Sequence, residues 1–315
     1  EYLRKKYKNR NRHKSIKIKT FFKKKDLILN IKKLNLQDIV IAHIGVNNDT
    51  EFLIKTLNKY KIKYVQHSLG FLPFPPKSKI EILKLGFKYP IAFLLTIWRR
   101  LNIYSTSALI QPTFMCCAGE QAYLSNKKNN KIKTLIKIPC PEYDEYLELK
   151  KIKRKIKKKE KYAVLIDSYY DHPDQVYNKE NSFPPEKIPS FNEYYDPINN
   201  FFKELNKRSN LKVKIGAHPR SDYKKNPYAF GKIYYNQTAE LIKDCEFVVV
   251  KASLALNFAV LFKKPIVFIL NDFWKYNTKR QIIHVAKYFK QEPINITNLN
   301  NKNFNFLKKR KINYL

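Results

Sequence analysis

Short apolar runs alternate with amphipathic segments along most of this chain, and that alternation restricts the fold more than any other feature. DIVIAHIG (38–45) precedes a helical pattern over 49–61, and KYVQHSL (63–69) follows at once, giving a β-α-β unit. FMCCAG (114–119) and a helix from Glu120 continue the series. YAVLID (162–167), a helix over 192–208, a strand over 211–217, KIYY (232–235), a helix over 237–244, EFVVV (246–250), a helix over 253–262 and PIVFIL (265–270) repeat it. Strands separated by helices pair in parallel. The expectation is an α/β protein with two Rossmann-like domains facing a cleft, residues 1–150 and 151–315. LKKIKRKIKKKE (149–160) reads as a linker or connecting helix near that boundary, and residues 1–26 as a frayed or partly helical lead-in with no signal-peptide pattern.

Glycine is scarce, with six in the whole chain: Gly45, Gly70, Gly86, Gly119, Gly216 and Gly231. Neither the dinucleotide fingerprint nor a P-loop can be assembled from them, because both need several glycines where backbone approaches phosphate. NAD-dependent and P-loop NTPase readings are set aside on that ground, and no cofactor is expected.

Hydrophobic content of 44% and aromatic content of 14% suffice for a sizeable core. Lys+Arg number 63 against 26 Asp+Glu, a formal net charge of +37. Such a balance suits an anionic partner: nucleic acid, an acidic membrane surface or a phosphorylated substrate. AT-rich coding bias yields the same abundance of Lys, Asn and Ile without selection for binding. Nucleic-acid binders cluster Arg and aromatics on one face. Here Lys is spread along the chain, so no nucleic-acid partner is expected, and a basic nucleic-acid-binding protein stays as the rival from another class. Cys116, Cys117, Cys140 and Cys245 form no CxxC pair, which fits a reducing, cytoplasmic compartment. PIAFLLTIW (90–98), with Lys88 before it and Arg99 and Arg100 after it, is too short to span a bilayer. It is expected as a buried helix; the alternative is a surface helix touching anionic lipid.

Three constellations carry chemistry. KVKIGAHPRSDY (212–223) ends a strand in His218, Pro219, Arg220 and Ser221, where an α/β sheet presents its crevice. An imidazole and a guanidinium together neutralise a phosphate or carboxylate; the plain alternative is a polar turn. Lys251, Ala252 and Ser253 follow EFVVV and open the next helix, with Ser253 as its cap and the helix start as an anion site. Thr238 and Glu240 open the preceding helix, Glu240 placed to accept from a ribose or simply to suit the helix dipole. Asp167 ends the first strand of the second half, and Asp171, His172 and Asp174 follow it. A carboxylate there can take a proton from an acceptor hydroxyl. The spacing matches no standard metal site, so no metal is expected. Asn47, Gln66 and His67, with Asn48, close strands of the first half on the cleft side as acceptor contacts.

LIDSYYDHPD, AHPRSDYKKNPY and TAELIKDCEFVVVKASLALNFAVLFKKPIVFI together resemble bacterial surface-polysaccharide glycosyltransferases of the GT-B type. Within that class the His-Pro pair and the later Ser resemble sialyltransferase-like and Kdo-transferase-like enzymes that use CMP-activated ulosonic acids. The resemblance covers roughly residues 160–270. It implies that His218 contacts and protonates the departing CMP phosphate, that Ser253 and neighbouring amides hold it, and that Asp167 is the base. The acidic-acidic-Gly motif of those sialyltransferases is absent here. The implied function is a metal-independent inverting transfer from a CMP-linked sugar to a cell-surface glycan or lipid-linked glycan, with peripheral contact at the inner face of the plasma membrane. The first domain then takes the acceptor and the second the donor. A CDP-glycerol or ribitol phosphotransferase and a nucleotide-sugar epimerase remain as alternatives.

Overall fold

The computed structural model describes residues 23–35, 37–42, 51–69, 72, 75, 77–107, 112–128, 132–152, 160–170, 183–184 and 188–308. The first half runs α1 (Lys24–Ile31), β1 (Ile39–Ala42), α2 (Glu51–Lys59), β2 (Lys63–Ser68), α3 (Lys79–Lys88), α4 (Pro90–Ser107), β3 (Phe114–Ala118), α5 (Glu120–Lys127) and β4 (Thr134–Ile138). After α6 (Pro141–Lys151) come β5 (Tyr162–Ile166), α7 (Phe191–Ser209), β6 (Lys212–Gly216), β7 (Gly231–Tyr234), α8 (Thr238–Asp244) and β8 (Phe247–Val250). The chain continues with α9 (Leu256–Leu261), β9 (Ile266–Leu270), α10 (Tyr276–Tyr288), β10 (Ile294–Asn295) and a 3-10 helix (Asn301–Lys308).

Two sheets result, ordered β1-β2-β3-β4 and β10-β9-β8-β5-β6-β7, and every described pairing is parallel. The second sheet steps outward from β5 to β7, then restarts at β8 on the other side of β5. That is the doubly wound order, whose ligand crevice lies outside the carboxyl ends of the strands where the order reverses. The switch point is therefore between β5 and β8. Each half is thus an α/β unit built on its own parallel sheet, as the alternation of strands and helices implies.

Burial follows from this layering. Every residue of β5 and β8 is buried, the continuous apolar pattern of strands covered on both faces. α7 starts at a capping box, with the Glu193 amide donating to Ser190 Oγ at 3.3 Å and the Ser190 amide to Glu193 Oε2 at 2.6 Å. Its buried face carries Tyr194, Tyr195, Ile198, Phe201, Phe202 and Leu205 at helical spacing. Each such side chain contributes about 1.5–3 kcal/mol on full burial. α6 packs along α8 and α9, and Leu149 enters the core of the second sheet. The first sheet is lined by smaller clusters, around Ile54, Leu57 and Tyr64 and around Met115, Cys117 and Ala122.

Two elements differ from the sequence reading. The helix expected over 253–262 begins only at Leu256; before it the chain makes a turn in which the Leu256 amide donates to the Ser253 carbonyl at 3.0 Å. Ser253 Oγ accepts from the Ala255 amide at 3.3 Å, so it caps this turn and not the helix. Short hydroxyl side chains compete for nearby amides in this way. The apolar run 90–98 is helical, but the expected burial is wrong. Ala92, Phe93 and Thr96 are half-buried, Phe93 against the Phe183 ring at 5.7 Å, while Ile91, Leu94, Leu95, Ile97 and Trp98 are exposed. A stripe at helical spacing has the same pattern in sequence whether or not something covers it. No helix among the described residues is long and apolar enough to cross a membrane.

Candidate functional site

A cleft of about 750 Å³ opens at the switch point. Asp167 and Ser168 reach it from the end of β5, Ala217 and His218 from the end of β6, and Ala252 to Ala255 from the turn after β8. Thr238 lines it from the first position of α8, and Pro141, Glu142 and Glu145 from α6. Leu72, beyond β2, is the first unit's contribution. Because β6 and β8 flank β5 on opposite sides, His218 and the Ser253 turn lie to either side of Asp167.

Gly216 sets how closely β6 and α8 approach. A Cβ built there lies 2.9 Å from Thr238 Oγ1 and 3.1 Å from its Cγ2. Only glycine lets Thr238 pack on the strand end, and that packing brings its side chain to the cleft.

Asp167 is buried, at 3% exposure, and its carboxylate is saturated. Tyr228 donates to Oδ1 at 2.7 Å and Tyr223 to Oδ2 at 2.7 Å. The Tyr169 amide donates to Oδ1 at 2.9 Å and the His218 amide to Oδ2 at 3.4 Å. Burial first, then the neighbouring carboxylate and tyrosines, hold the Tyr223 and Tyr228 hydroxyls well above the ordinary tyrosine range, so both remain donors. The Tyr169 amide bond closes an Asx turn, with Tyr169 in the left-handed region at φ 47°.

The His-Pro-Arg-Ser segment is a turn locked onto this network. Ser221 donates to the His218 carbonyl from its amide at 2.9 Å and from its hydroxyl at 2.7 Å. The Arg220 amide donates to His218 Nδ1 at 3.2 Å. With Nδ1 accepting, the neutral ring carries its proton on Nε2. The Tyr169 ring stacks near His218, with centroids 6.4 Å apart and planes at 21°. This arrangement leaves an imidazole N–H donor on a residue of the cleft wall, a group suited to stabilising a departing phosphate.

Lys251 turns away from the cleft. Its ammonium donates to the Tyr194 hydroxyl and sits 4.4 Å and 4.6 Å from the ring centroids of Tyr194 and Trp274. Burial lowers its pKa to about 8, against the pull of Asp167.

Of the residues singled out in the sequence, Asp167, His218, Thr238, Ala252 and Ser253 line the cleft. Arg220 is exposed, and Ser221 holds the turn. Glu240 Oε2 is buried without a hydrogen-bond partner and does not line the cleft. Gln66 is buried and His67 half-buried on β2, neither of them on the cleft wall. Asn47, Asn48, Asp171, His172 and Asp174 lie outside the described residues. Sequence reasoning missed Glu142 and Glu145. Their segment, PEYDEYLEL, signals only a helix start with Pro and acids in its first turn. Among the described residues no group of three or more His, Cys, Asp or Glu is placed to hold a metal ion.

No protein-family model matches the chain, and no curated protein matches it. Among solved structures it is similar to the UDP-GlcNAc 2-epimerase of Methanocaldococcus jannaschii in complex with UDP-GlcNAc and UDP, with a TM-score of 0.49 and 16% identity over 92% of this chain and 75% of that one. It is also similar to the glycotransferase of kitacinnamycin, with a TM-score of 0.32 and 9% identity over 84% and 87% of the two chains. A third likeness is to the β-Kdo 2,7 transferase of Thermosulfurimonas dismutans, with a TM-score of 0.26 and 13% identity over 75% and 79%. At these values the likenesses carry no chemistry to this chain, and the functional reading rests on the cleft.

Proposed function

We propose that the protein is a glycosyltransferase that draws a sugar from a nucleotide donor, with residues 151–315 as the donor domain and residues 1–150 as the acceptor domain. The observation that carries this is the convergence of His218, Thr238 and Ser253 on one cleft at the switch point of a doubly wound parallel sheet. The donor is a CMP-linked ulosonic acid, and the acceptor a glycan or lipid-linked glycan at the cytoplasmic face of the membrane.

In the reaction the acceptor hydroxyl oxygen attacks the anomeric carbon while the bond from that carbon to the phosphate oxygen breaks. CMP leaves with the electron pair. His218 donates from Nε2 to the phosphate, and Thr238 and Ser253 add hydroxyl contacts. Asp167 is already occupied by two tyrosine hydroxyls and two amides. In this reading it is a positioning residue that fixes the His218 turn. The proton-accepting role expected of Asp167 passes in this reading to Glu142, whose Oε2 accepts from Asn257 Nδ2 at 3.3 Å, and to Glu145, the carboxylates that line the cleft from α6. Direct displacement, with the base and the leaving group on opposite faces of the sugar, gives inversion.

A nucleotide-sugar epimerase is the second reading. An imidazole and carboxylates lining one cleft also suit proton abstraction and return on a bound donor without an acceptor. Thermal stabilisation by CMP, CDP, UDP and GDP, followed by product analysis, separates the cases. Selective stabilisation by CMP, lost in His218→Ala and Ser253→Ala, and a new glycosidic bond support the transferase. An epimerised sugar or a phosphodiester product moves the assignment within the fold. No stabilisation by any nucleotide overturns it.

A further inference from the structure

The helix pair α3 and α4 carries a surface that the transfer reaction does not use. On α3 the exposed apolar residues are Ile80, Leu83 and Phe87, the last at 86% exposure. On α4 they are Ile91 at 75%, Leu94 at 65%, Leu95 at 46%, Ile97 at 40%, Trp98 at 63% and Leu101 at 66%. Ile91, Leu94, Leu95, Trp98 and Leu101 recur at i, i+3, i+4, i+7 and i+10, one continuous helical stripe turned outward with Ile97 at its edge. Gly86 lies against the Phe93 ring, where an added Cβ would be 3.3 Å from it, so the two helices pack closely and present their apolar faces together. Scattered exposed apolar residues are ordinary; a contiguous stripe across two helices marks a contact surface.

The charges around this stripe identify the occupant. Residues 79–98 contain Lys79, Lys84 and Lys88 and a single acid, Glu81. All three lysines are exposed. Glu81 points away from the stripe, bonded to Arg280 Nη2 at 3.1 Å and to the Tyr276 hydroxyl on α10. What remains on the outer face is apolar side chains, a tryptophan and lysines, in a chain of net charge +37. Those are the requirements for a helix lying in the plane of an anionic bilayer: apolar residues among the acyl chains, Trp at the headgroup level and lysine ammoniums at lipid phosphates.

We infer that the outer face of Lys79–Leu101 docks this protein onto an anionic lipid surface. The contact needs no knowledge of the reaction, so failure here leaves the proposed transfer untouched, and the reverse holds too.

The test uses the full chain with vesicles of phosphatidylcholine alone and with about a third phosphatidylglycerol, a composition giving the surface a negative potential. The chain has two tryptophans, so subtracting the emission of Trp98→Phe isolates Trp98. A blue shift of that emission with anionic vesicles is expected, together with co-sedimentation that drops at least tenfold in L94E/W98E and severalfold in K84E/K88E. Equal binding of L94E/W98E and native chain overturns the inference. So does equal binding to neutral vesicles. A concentration-dependent dimer that shields Trp98 without lipid also overturns it and assigns the stripe to a second copy. The Trp98 shift is read on the native chain, so it decides the matter even where a charged variant folds poorly.

Discussion

The Tyr228 hydroxyl donates to Asp167 Oδ1 at 2.7 Å, joining residues 61 positions apart in sequence. Tyr223 serves the other oxygen at 2.7 Å. Together they hold the carboxyl group of a residue that lines the cleft and, through it, the amide of His218.

Removing one donor leaves a buried carboxylate short of a hydrogen bond. Tyr228→Phe is expected to cost about 1.5–3 kcal/mol, the range for hydrogen bonds to charged groups. Tyr223→Phe should cost less, because Tyr223 is only half-buried and water can replace its hydroxyl. Urea unfolding of the two variants checks the order. A neutral Tyr228→Phe would mean that Asp167 is not organised by this pair.

Gly216→Ala tests the close approach of β6 and α8. The added methyl meets Thr238 Oγ1 at 2.9 Å, and overpacking of this kind costs about 1–3 kcal/mol. Thr238→Ala in the same chain removes both close atoms, so the double variant should recover most of the lost stability. Strict additivity of the two single changes would show that the residues are not coupled.

Lys251 makes stability depend on alkaline pH. Its folded pKa of about 8 lies below the ordinary 10.5. Between these values the unfolded chain binds a proton that the folded chain has lost, so stability rises with pH, at most by about 1.4 kcal/mol per pH unit. Near pH 10 the tyrosines act in the opposite sense. Tyr223 and Tyr228 keep their protons when folded and lose them when unfolded, and stability falls. Urea midpoints from about pH 7.5 to about 11 should show the rise and then the fall in the native chain. Lys251→Met should abolish the rise and keep the fall.

Glu81 ties α3 to α10 across the two halves of the chain. The Tyr276 hydroxyl, the Arg280 guanidinium and the Ser78 amide hold its carboxyl below the ordinary 4.5. A lowered carboxylate contributes stability above 4.5 that is lost as pH falls through its folded value. Glu81→Gln weakens both the α3 capping box and the link to Arg280, and should cost about 1 kcal/mol at neutral pH. The difference from the native chain should vanish in acid. Thermal unfolding at both ends of that range measures it.

Much of this architecture was legible in the chain itself. β5 and β8 show as continuous apolar runs because both of their faces are covered, and local pattern records that directly. His218 and Ser253 were found because polar residues just beyond such strands must stand at the carboxyl edge of a parallel sheet. The capping boxes Ser78–Glu81 and Ser190–Glu193 are local signals too, but they go unremarked in the sequence and stand out only in the structure.

Strand order decided the rest. Placing β8 beside β5 puts the Ser253 turn on one side of Asp167 and His218 on the other, and no single stretch of sequence contains that relation. Tyr223 and Tyr228 look like loop tyrosines until the fold brings them under Asp167. Lys251, next to Ser253 in sequence, points to Trp274 and away from the cleft. The apolar period of α4 is plain in the chain, but whether that stripe meets core or solvent is a property of its neighbours. Periodicity is set by bonds between residues a few positions apart, whereas burial and charge pairing depend on which distant elements the chain lays beside one another.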